Sequence, residues 1–289
     1  MEKLEVFHKP VLLKEVVEFL RVREGEKYID ATVGGGGHTL AILKRGGKVL
    51  GIDCDPKAIE YVKERLKFER KREVGSNIVL VQGNFAHLKK IAKREGFERV
   101  GGILFDLGVS LYQLKTPERG FSFESDFPLD MRMDPSLEIT AEDLVNSLGK
   151  EELYEIFSKF GEERHAFRVA ETIVRARALK PIKTCRQLSE LILKAGGKRD
   201  RCFQALRIVV NRELENLKTA LCQSVDLLKP KGRLVVISFH SLEDRIVKNF
   251  FQKTEKIKVL TKRPIRPTEE EIKRNPRSRS AKMRVGEKQ

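Results

Sequence analysis

The 289-residue chain has four cysteines, at 54, 185, 202 and 222, and no two of them form a C-x-x-C pair. Thiols scattered in this way argue against a disulfide framework or a cysteine zinc site, and they suit a reducing, cytoplasmic compartment. No apolar run approaches the roughly 20 residues that span a bilayer. The N-terminal MEKLEVFHKP is charged and has no apolar h-region, so it does not read as a secretory signal. The G-K-[ST] of a phosphate-binding P-loop is missing. The G-x-S-x-G elbow is missing too, so the Ser, His and Asp residues near His240 do not make a hydrolase. What remains is a globular protein, 40% apolar, long enough for one large domain or two ordinary ones.

The chain is organised around residues 28–55, YIDATVGGGGHTLAILKRGGKVLGIDCD. This stretch reads as strand, glycine loop, helix, strand. Tyr28-Ile29 ends at Asp30, Gly34 to Gly37 follow, His38 to Leu43 is helical, and Val49 to Ile52 ends at Asp53. Glycines between a strand and a helix let the backbone approach a ligand, and the start of the helix offers free N–H groups. An acid about twenty residues further on, at the tip of the second strand, is placed to accept both hydroxyls of a ribose. Position 39 is Thr, so the loop is not a clean G-x-G-x-x-G. Asp30 would repel a pyrophosphate but attract the amino group of a methionine moiety. This favours S-adenosylmethionine over NAD. A plain glycine turn is the structural alternative.

Three more strand–helix units follow. Residues 77–81 form a strand ending near Phe85, 86–95 a helix, and 100–105 a strand ending at Asp106. Residues 234–239 form another strand, running into His240 and a helix to about Lys253. Pro10 is placed to open an N-terminal helix with Val11, Leu12, Val16, Phe19 and Leu20 on its apolar face, preceded by His8 and Lys9. Alternating strands and helices predict an α/β fold with a parallel sheet covered on both faces. Right-handed crossovers gather Asp30, Asp53, Phe85 and Asp106 on one sheet edge, where ligands bind in such folds. Phe85 could pack on an adenine ring there.

The pattern breaks at residues 109–135, which are too long for an ordinary connection. Phenylalanines 121, 123 and 127 stand there among Arg119 and Arg132. This composition suits stacking of a splayed-out base, and a small phenylalanine core under the loop is the alternative. Residues 140–228 read as helical, with capping boxes at Thr140–Asp143 and Thr184–Gln187 and a long amphipathic helix through residues 211–217. The expected division is a core of 1–109 and 206–289 and a helical insert of 110–205. Net charge is +16, and residues 256–289 hold 12 Lys/Arg against 4 Glu, which is +8 or half the excess. Such one-sided clustering suggests a polyanionic partner, most simply nucleic acid. The tail's two short runs suggest an edge hairpin.

Several blocks carry a resemblance: DATVGGGGHT (30–39), GIDCDPKAI (51–59), DLGVS (106–110), RGFSF (119–123), PLDMRMDP (128–135), FQALRIVVNRELENL (203–217), ISFHSLEDRIVK (237–248) and NPRSRSAKMR (275–284). From HKPVLLKE (8–15) to the C-terminus, the chain resembles the bacterial 16S ribosomal RNA cytosine-N4 methyltransferase family (RsmH, also MraW). The resemblance implies a class I S-adenosylmethionine-dependent methyltransferase, a Rossmann-like sheet with a helical insert serving the RNA substrate. It implies methylation of N4 of the cytidine at position 1402, in the decoding region of the small ribosomal subunit. Its cofactor positions fall on Gly36, Gly37, His38, Asp53, Phe85, Asp106 and Gln113, beside Asp30 read above. Where the family has DLGVSSPQL this chain has DLGVSLYQL, so Leu111-Tyr112 alter the loop that carries Gln113.

The amine proton needs an acceptor, for which Asp106, Asp130 and His240 are candidates that the sequence does not rank. No metal and no membrane association are expected, and homodimerisation is left open. A non-catalytic RNA-binding protein and an NAD-dependent dehydrogenase are the rival classes. The intact Asp30, glycine loop and Asp53 argue against the first, and the acid before the loop argues against the second.

Overall fold

The computed structural model describes residues 10–69 and 77–289. His8 and Lys9 lie outside the described residues. The chain forms two compact units, one of residues 1–110 and 214–289 and one of Leu111–Glu213.

The first unit opens with α1 (Leu13–Leu20), β1 (Lys27–Asp30), α2 (Gly37–Leu43), β2 (Lys48–Asp53), α3 (Pro56–Glu69), β3 (Ile78–Gln82), α4 (Leu88–Arg94) and β4 (Val100–Asp106). The second unit contains α5 (Leu111–Lys115), α6 (Ala141–Ser147), α7 (Lys150–Lys159), α8 (Ala166–Leu179), α9 (Cys185–Lys194) and α10 (Arg199–Asn211). After it come α11 (Glu213–Leu227), β5 (Leu228–Ser238), α12 (Ser241–Lys253), β6 (Ile257–Val259), α13 (Glu269–Arg274) and β7 (Lys282–Lys288).

The strands form one seven-stranded sheet in the order β3-β2-β1-β4-β5-β7-β6. β1 pairs in parallel with both β2 and β4, so the order reverses between β1 and β4. Ligands bind at such a reversal, beyond the C-terminal ends of the strands. Alternation along the central strands feeds two apolar layers. Ile103 and Phe105 of β4, with Leu234 and Val236 of β5, join Leu217, Leu221, Val247 and Phe251 on one face. Leu104, Val235 and Ile237 join Leu12, Val16, Leu20, Ile42 and Val62 on the other.

Four local expectations are corrected. α1 begins at Leu13, because Leu12 is left-handed at φ 53° and cannot be helical. The strand expected at 234–239 begins earlier, at Leu228, and carries a bulge: Lys231 is left-handed, and the register with β4 jumps between Val100 and Gly102. The helix expected through 211–217 breaks at Arg212, φ 50°, which separates α10 from α11. Here the Asn211 side chain accepts from Met133 N–H (2.7 Å) and donates to the Met131 carbonyl (2.8 Å). The second compact unit ends at Glu213 and includes α10.

The tail is the fourth correction. The expected edge hairpin is there, since β6 and β7 pair antiparallel at the edge of the sheet, but its strands lie at Ile257–Val259 and Lys282–Lys288 rather than in the two basic runs, and β7 also pairs antiparallel with β5. Met283 and Val285 are fully buried. Arg284 donates to both carboxylate oxygens of Asp244 on α12, at 2.6 and 3.2 Å. Residues 282–288 are thus part of the core, and the basic charge outside them sits on a connection between two paired strands.

The expected capping boxes at Thr140–Asp143 and Thr184–Gln187 are both formed. Asp55 caps α3, its Oδ1 accepting from Lys57 N–H at 3.0 Å. Among the described residues, no helix is long and apolar enough to cross a membrane.

Candidate active site

Parallel pairing places the tips of β1, β2, β3 and β4 on one edge of the sheet, and with them Asp30, Asp53, Phe85 and Asp106. Asp30 is buried at the end of β1. Its Oδ2 accepts from the Thr39 hydroxyl (2.7 Å) and its Oδ1 from Thr32 N–H (3.3 Å). Burial raises its pKa, opposed by the nearby His38 ring. An apolar setting that disfavours a lone carboxylate rewards an incoming cation.

The glycine loop turns back on itself. Gly34 and Gly36 are both left-handed, at φ 48° and 73°. At Gly36 a Cβ would also lie 2.9 Å from the Val62 side chain. The turn aims Gly34 N–H at Asp53 Oδ2 (2.8 Å), while Asp55 N–H reaches Oδ1 (2.9 Å). Each carboxylate oxygen thus accepts one backbone hydrogen bond and keeps a second acceptor position. Burial outweighs those two bonds and raises the Asp53 pKa from 3.8 to about 6. The α2 helix that follows has only seven residues. It is the loop conformation, rather than a long helix dipole, that shapes this corner.

His38, at the start of α2, is 5% exposed. Its Nε2 lies 3.0 Å from the Val11 carbonyl, so that nitrogen carries the proton. Its Nδ1 lies 3.7 Å from Asp106 Oδ2. The Asp106 backbone N–H donates to the Thr32 hydroxyl at 2.6 Å, tying the tip of β4 to that of β1. Phe85 sits in a short 3-10 turn after β3 and meets Phe105 edge to face, centroids 5.6 Å apart.

At the end of β5, His240 is the N-cap of α12. The chief anchor here is Glu243, 2% exposed, a residue the sequence reading passed over. Its Oε2 accepts from Phe239 N–H at 2.8 Å, and its Oε1 lies 3.2 Å from His240 Nε2. The signal was available, since an acid three residues after a cap is a capping box. Thr32 and Thr39, whose hydroxyls organise the two aspartates, were also passed over.

Two site candidates lie in the second unit. Gln113 is in α5, its residue 5% exposed. Asp130 is held by Arg132, which donates from Nε to Oδ1 (2.8 Å) and from Nη2 to Oδ2 (2.9 Å), while Arg132 N–H also reaches Oδ1. Both oxygens of that carboxylate are thereby committed to the guanidinium. Both arginines offered to a stacked base have their guanidinium edges bonded within the loop. Arg119 donates to the carbonyls of Arg132 and Met133, and Arg132 also donates to the Leu137 carbonyl. Both arginines shape the loop because its carbonyls have no strand or helix to pair with.

The donor set suits a nucleoside that carries an ammonium group. Asp53 presents two acceptor positions for vicinal hydroxyls, Asp30 a buried carboxylate for a cation, and the glycines a close backbone approach.

The comparisons fit this geometry. A model of the MraW methylase family matches residues 5–289. The chain is 46% identical to ribosomal RNA small subunit methyltransferase H of Thermomicrobium roseum, over 99% of this chain and 95% of that one. It is 44% identical to the protein of the same name from Carboxydothermus hydrogenoformans, over 99% of each. Among solved structures, a Clostridium thermocellum protein described as a candidate rRNA-methylase aligns over 97% of this chain and 99% of its own, with TM-score 0.51 at 15% identity. That similarity supports the Rossmann-like methyltransferase fold read from the strand order. With its glycine loop and acids at successive strand tips, the chain belongs to the MraW methylase family.

Proposed function

We propose that this protein transfers a methyl group from S-adenosylmethionine to N4 of a cytidine in 16S rRNA, the residue at position 1402 in the decoding region of the small ribosomal subunit. The observation that carries the reading is the pair of carboxylates at adjacent strand tips, Asp30 and Asp53, gathered around the glycine loop of a methylase-family chain. The relatives named as small subunit rRNA methyltransferases support the substrate class. The N4 position rests on the motif resemblance.

S-adenosylmethionine supplies a methyl group already activated on a sulfonium. Asp53 would hold the ribose hydroxyls and Asp30 the methionine ammonium. Gly36, Gly37 and His38 would shape the wall between them, and Phe85 would flank the adenine. With the methyl group supplied by the bound cofactor, the chain's own part would be to hold N4 in line with it and to take the proton that N4 gives up. Asp106 is the best placed of the three candidates. It stands at the β1–β4 reversal beside His38, whereas Asp130 is held by Arg132 and His240 serves as a helix cap. The helical second unit serves RNA recognition.

The direct test is mass analysis of nucleosides from 16S rRNA of cells with and without the gene. N4-methylcytidine should disappear with the gene, and its persistence would sink the reading.

Cysteine chemistry gives an independent prediction. Methylation at cytosine C5 requires a thiolate to attack the ring, whereas N4 has its own lone pair. Cys185 lies in the first turn of α9, fully buried, and burial raises its pKa to about 12. Burial raises the pKa of Cys202 as well. Both behave as packing residues. Cys222 is exposed on α11, and Cys54 is half-buried beside Asp53. A variant with all four cysteines changed to Ser should keep forming N4-methylcytidine, with a modest loss of stability from the two buried sites. Loss of activity in a folded Cys185→Ser protein, or 5-methylcytidine as product, would contradict direct transfer.

A further inference from the structure

The basic charge of the tail lies on the connection between β6 and β7. Residues 262–279 hold seven Lys/Arg against three Glu. Strand register fixes where this connection sits. β7 begins at Lys282 opposite Ser238, the last residue of β5, and Met283 opposite Ile237. Ile237 is itself opposite Asp106. Residues just before Lys282 therefore emerge at the sheet edge that carries Asp30, Asp53 and Asp106. They stand two strands from β4, about 10 Å across the sheet at about 4.8 Å per strand.

This connection is fixed, not a loose tail. Ile265 and Met283 exchange backbone hydrogen bonds (2.9 and 2.8 Å), and Val285 N–H donates to the Thr261 hydroxyl (2.9 Å). Thr268 caps α13. Ser278 is fully buried, its hydroxyl donating to the Asn275 carbonyl at 2.8 Å, and Ala281 N–H closes the turn onto the Ser278 carbonyl. At the other end Glu271 Oε1 accepts from Leu12 N–H at 2.7 Å. The preceding carbonyl, Val11, meets His38, and His38 faces Asp106. The arm is thus braced against the wall of the candidate active site.

Its cations are turned outward. Lys262, Arg263, Arg266, Lys273, Arg277 and Arg279 are all exposed. Among the described residues none of the six side chains has a hydrogen bond or an ion pair. The acids of the arm are largely engaged elsewhere: Glu271 holds Leu12, and Glu270 lies 4.0 Å from Arg274. Like charges on a short, ordered connection repel one another, and a row of phosphates would relieve that repulsion.

We propose that the β6–β7 arm is a preformed phosphate track, on which the RNA strand carrying the target base lies along the catalytic edge of the sheet. This rests on the RNA-methylase reading for the identity of the polyanion. A fixed row of cations positions a backbone without reading its sequence, which leaves base recognition to the site itself.

The test uses the full-length protein and poly(U), a single-stranded RNA that contains no cytidine, so binding is read apart from N4 chemistry. Two variants are compared with the wild type: Arg277→Gln/Arg279→Gln, and Lys262→Gln/Arg263→Gln/Arg266→Gln. Affinity for poly(U) is measured across a salt series, and S-adenosylmethionine affinity by calorimetry confirms an intact core. The slope of log affinity against log salt should flatten by about 1.4 in the first variant and about 2 in the second, at about 0.7 per phosphate contact. Arg277→Lys/Arg279→Lys should restore most of the slope. Wild-type slopes in both folded glutamine variants would overturn the track, as would a wild type whose poly(U) affinity ignores salt. If the arm behaves as expected but the enzyme leaves N4 of rRNA cytidines unmodified, the track stands and the N4 reading falls.

Discussion

Asp106→Asn should lower the single-turnover rate of methyl transfer by roughly 10²–10⁴-fold, the range ascribed to a positioned general base. The change keeps the size of the side chain and removes its basicity. It leaves the backbone N–H of residue 106 on the Thr32 hydroxyl, so the β1–β4 junction survives. The partner to watch is His38, 3.7 Å away, whose Nε2 is committed to the Val11 carbonyl. Two roles for Asp106 separate cleanly in this experiment. If it takes the amine proton, the rate stays low at saturating S-adenosylmethionine. If it only helps to hold the cofactor, the loss appears in cofactor affinity and saturation restores the rate. A wild-type rate in the absence of any change in cofactor affinity would remove Asp106 from both roles.

The parts of this site that were legible in the sequence are those written in short, local patterns. Asp30, the glycines and Asp53 lie within 24 residues, and each follows or precedes a strand whose apolar run is unbroken. The αL glycines and the strand-tip acids follow from that run alone. The strand tips after β3 and β4 were legible for the same reason. What was not legible depends on partners far away in sequence. Nothing in KMRVGEK says that it inserts between β5 and β6, because period-two alternation marks a strand and not its neighbours. Arg119 and Arg132 read as base-stacking residues because composition shows charges beside rings. It does not show the Met133 and Leu137 carbonyls that those arginines satisfy. Arg212 gave no warning of its left-handed turn, since NRELENL has neither glycine nor proline. Glu243 was a different failure. Its position three residues after His240 is visible in the sequence, but a histidine at a strand end reads as a catalytic group as readily as a cap.

Asp53 should make the cofactor-free protein less stable as pH rises, and make cofactor binding weaker as pH falls. The sign follows from one fact: the folded protein raises this carboxyl from 3.8 to about 6. Between these values the folded state holds a proton that the unfolded chain has released. The group therefore favours folding below about pH 4, and that contribution is lost as pH rises through about 6. At about 1.36 kcal/mol per pH unit the full difference is about 3 kcal/mol. The cause is burial, which the bonds from Gly34 and Asp55 only partly offset. In Asp53→Asn the stability difference from wild type should change across this window, with the wild type losing ground as pH rises and the two running parallel above about pH 7. A flat difference from pH 4 to 7, measured by denaturant unfolding, would show that Asp53 ionises normally. Cofactor binding runs the other way, because only the ionised carboxylate offers an acceptor to each ribose hydroxyl while keeping its two backbone donors. S-adenosylmethionine affinity in the wild type should therefore fall below about pH 6. Asp53→Ala should weaken it at pH 7 by roughly 1–3 kcal/mol, the cost of leaving hydrogen-bonding groups unpaired. An alanine variant that binds the cofactor as tightly as the wild type would take Asp53 out of the ribose site, whatever its effect on the fold. The two readouts together say whether the strain of burying this charge is kept in the cofactor-free fold because the bound hydroxyls relieve it.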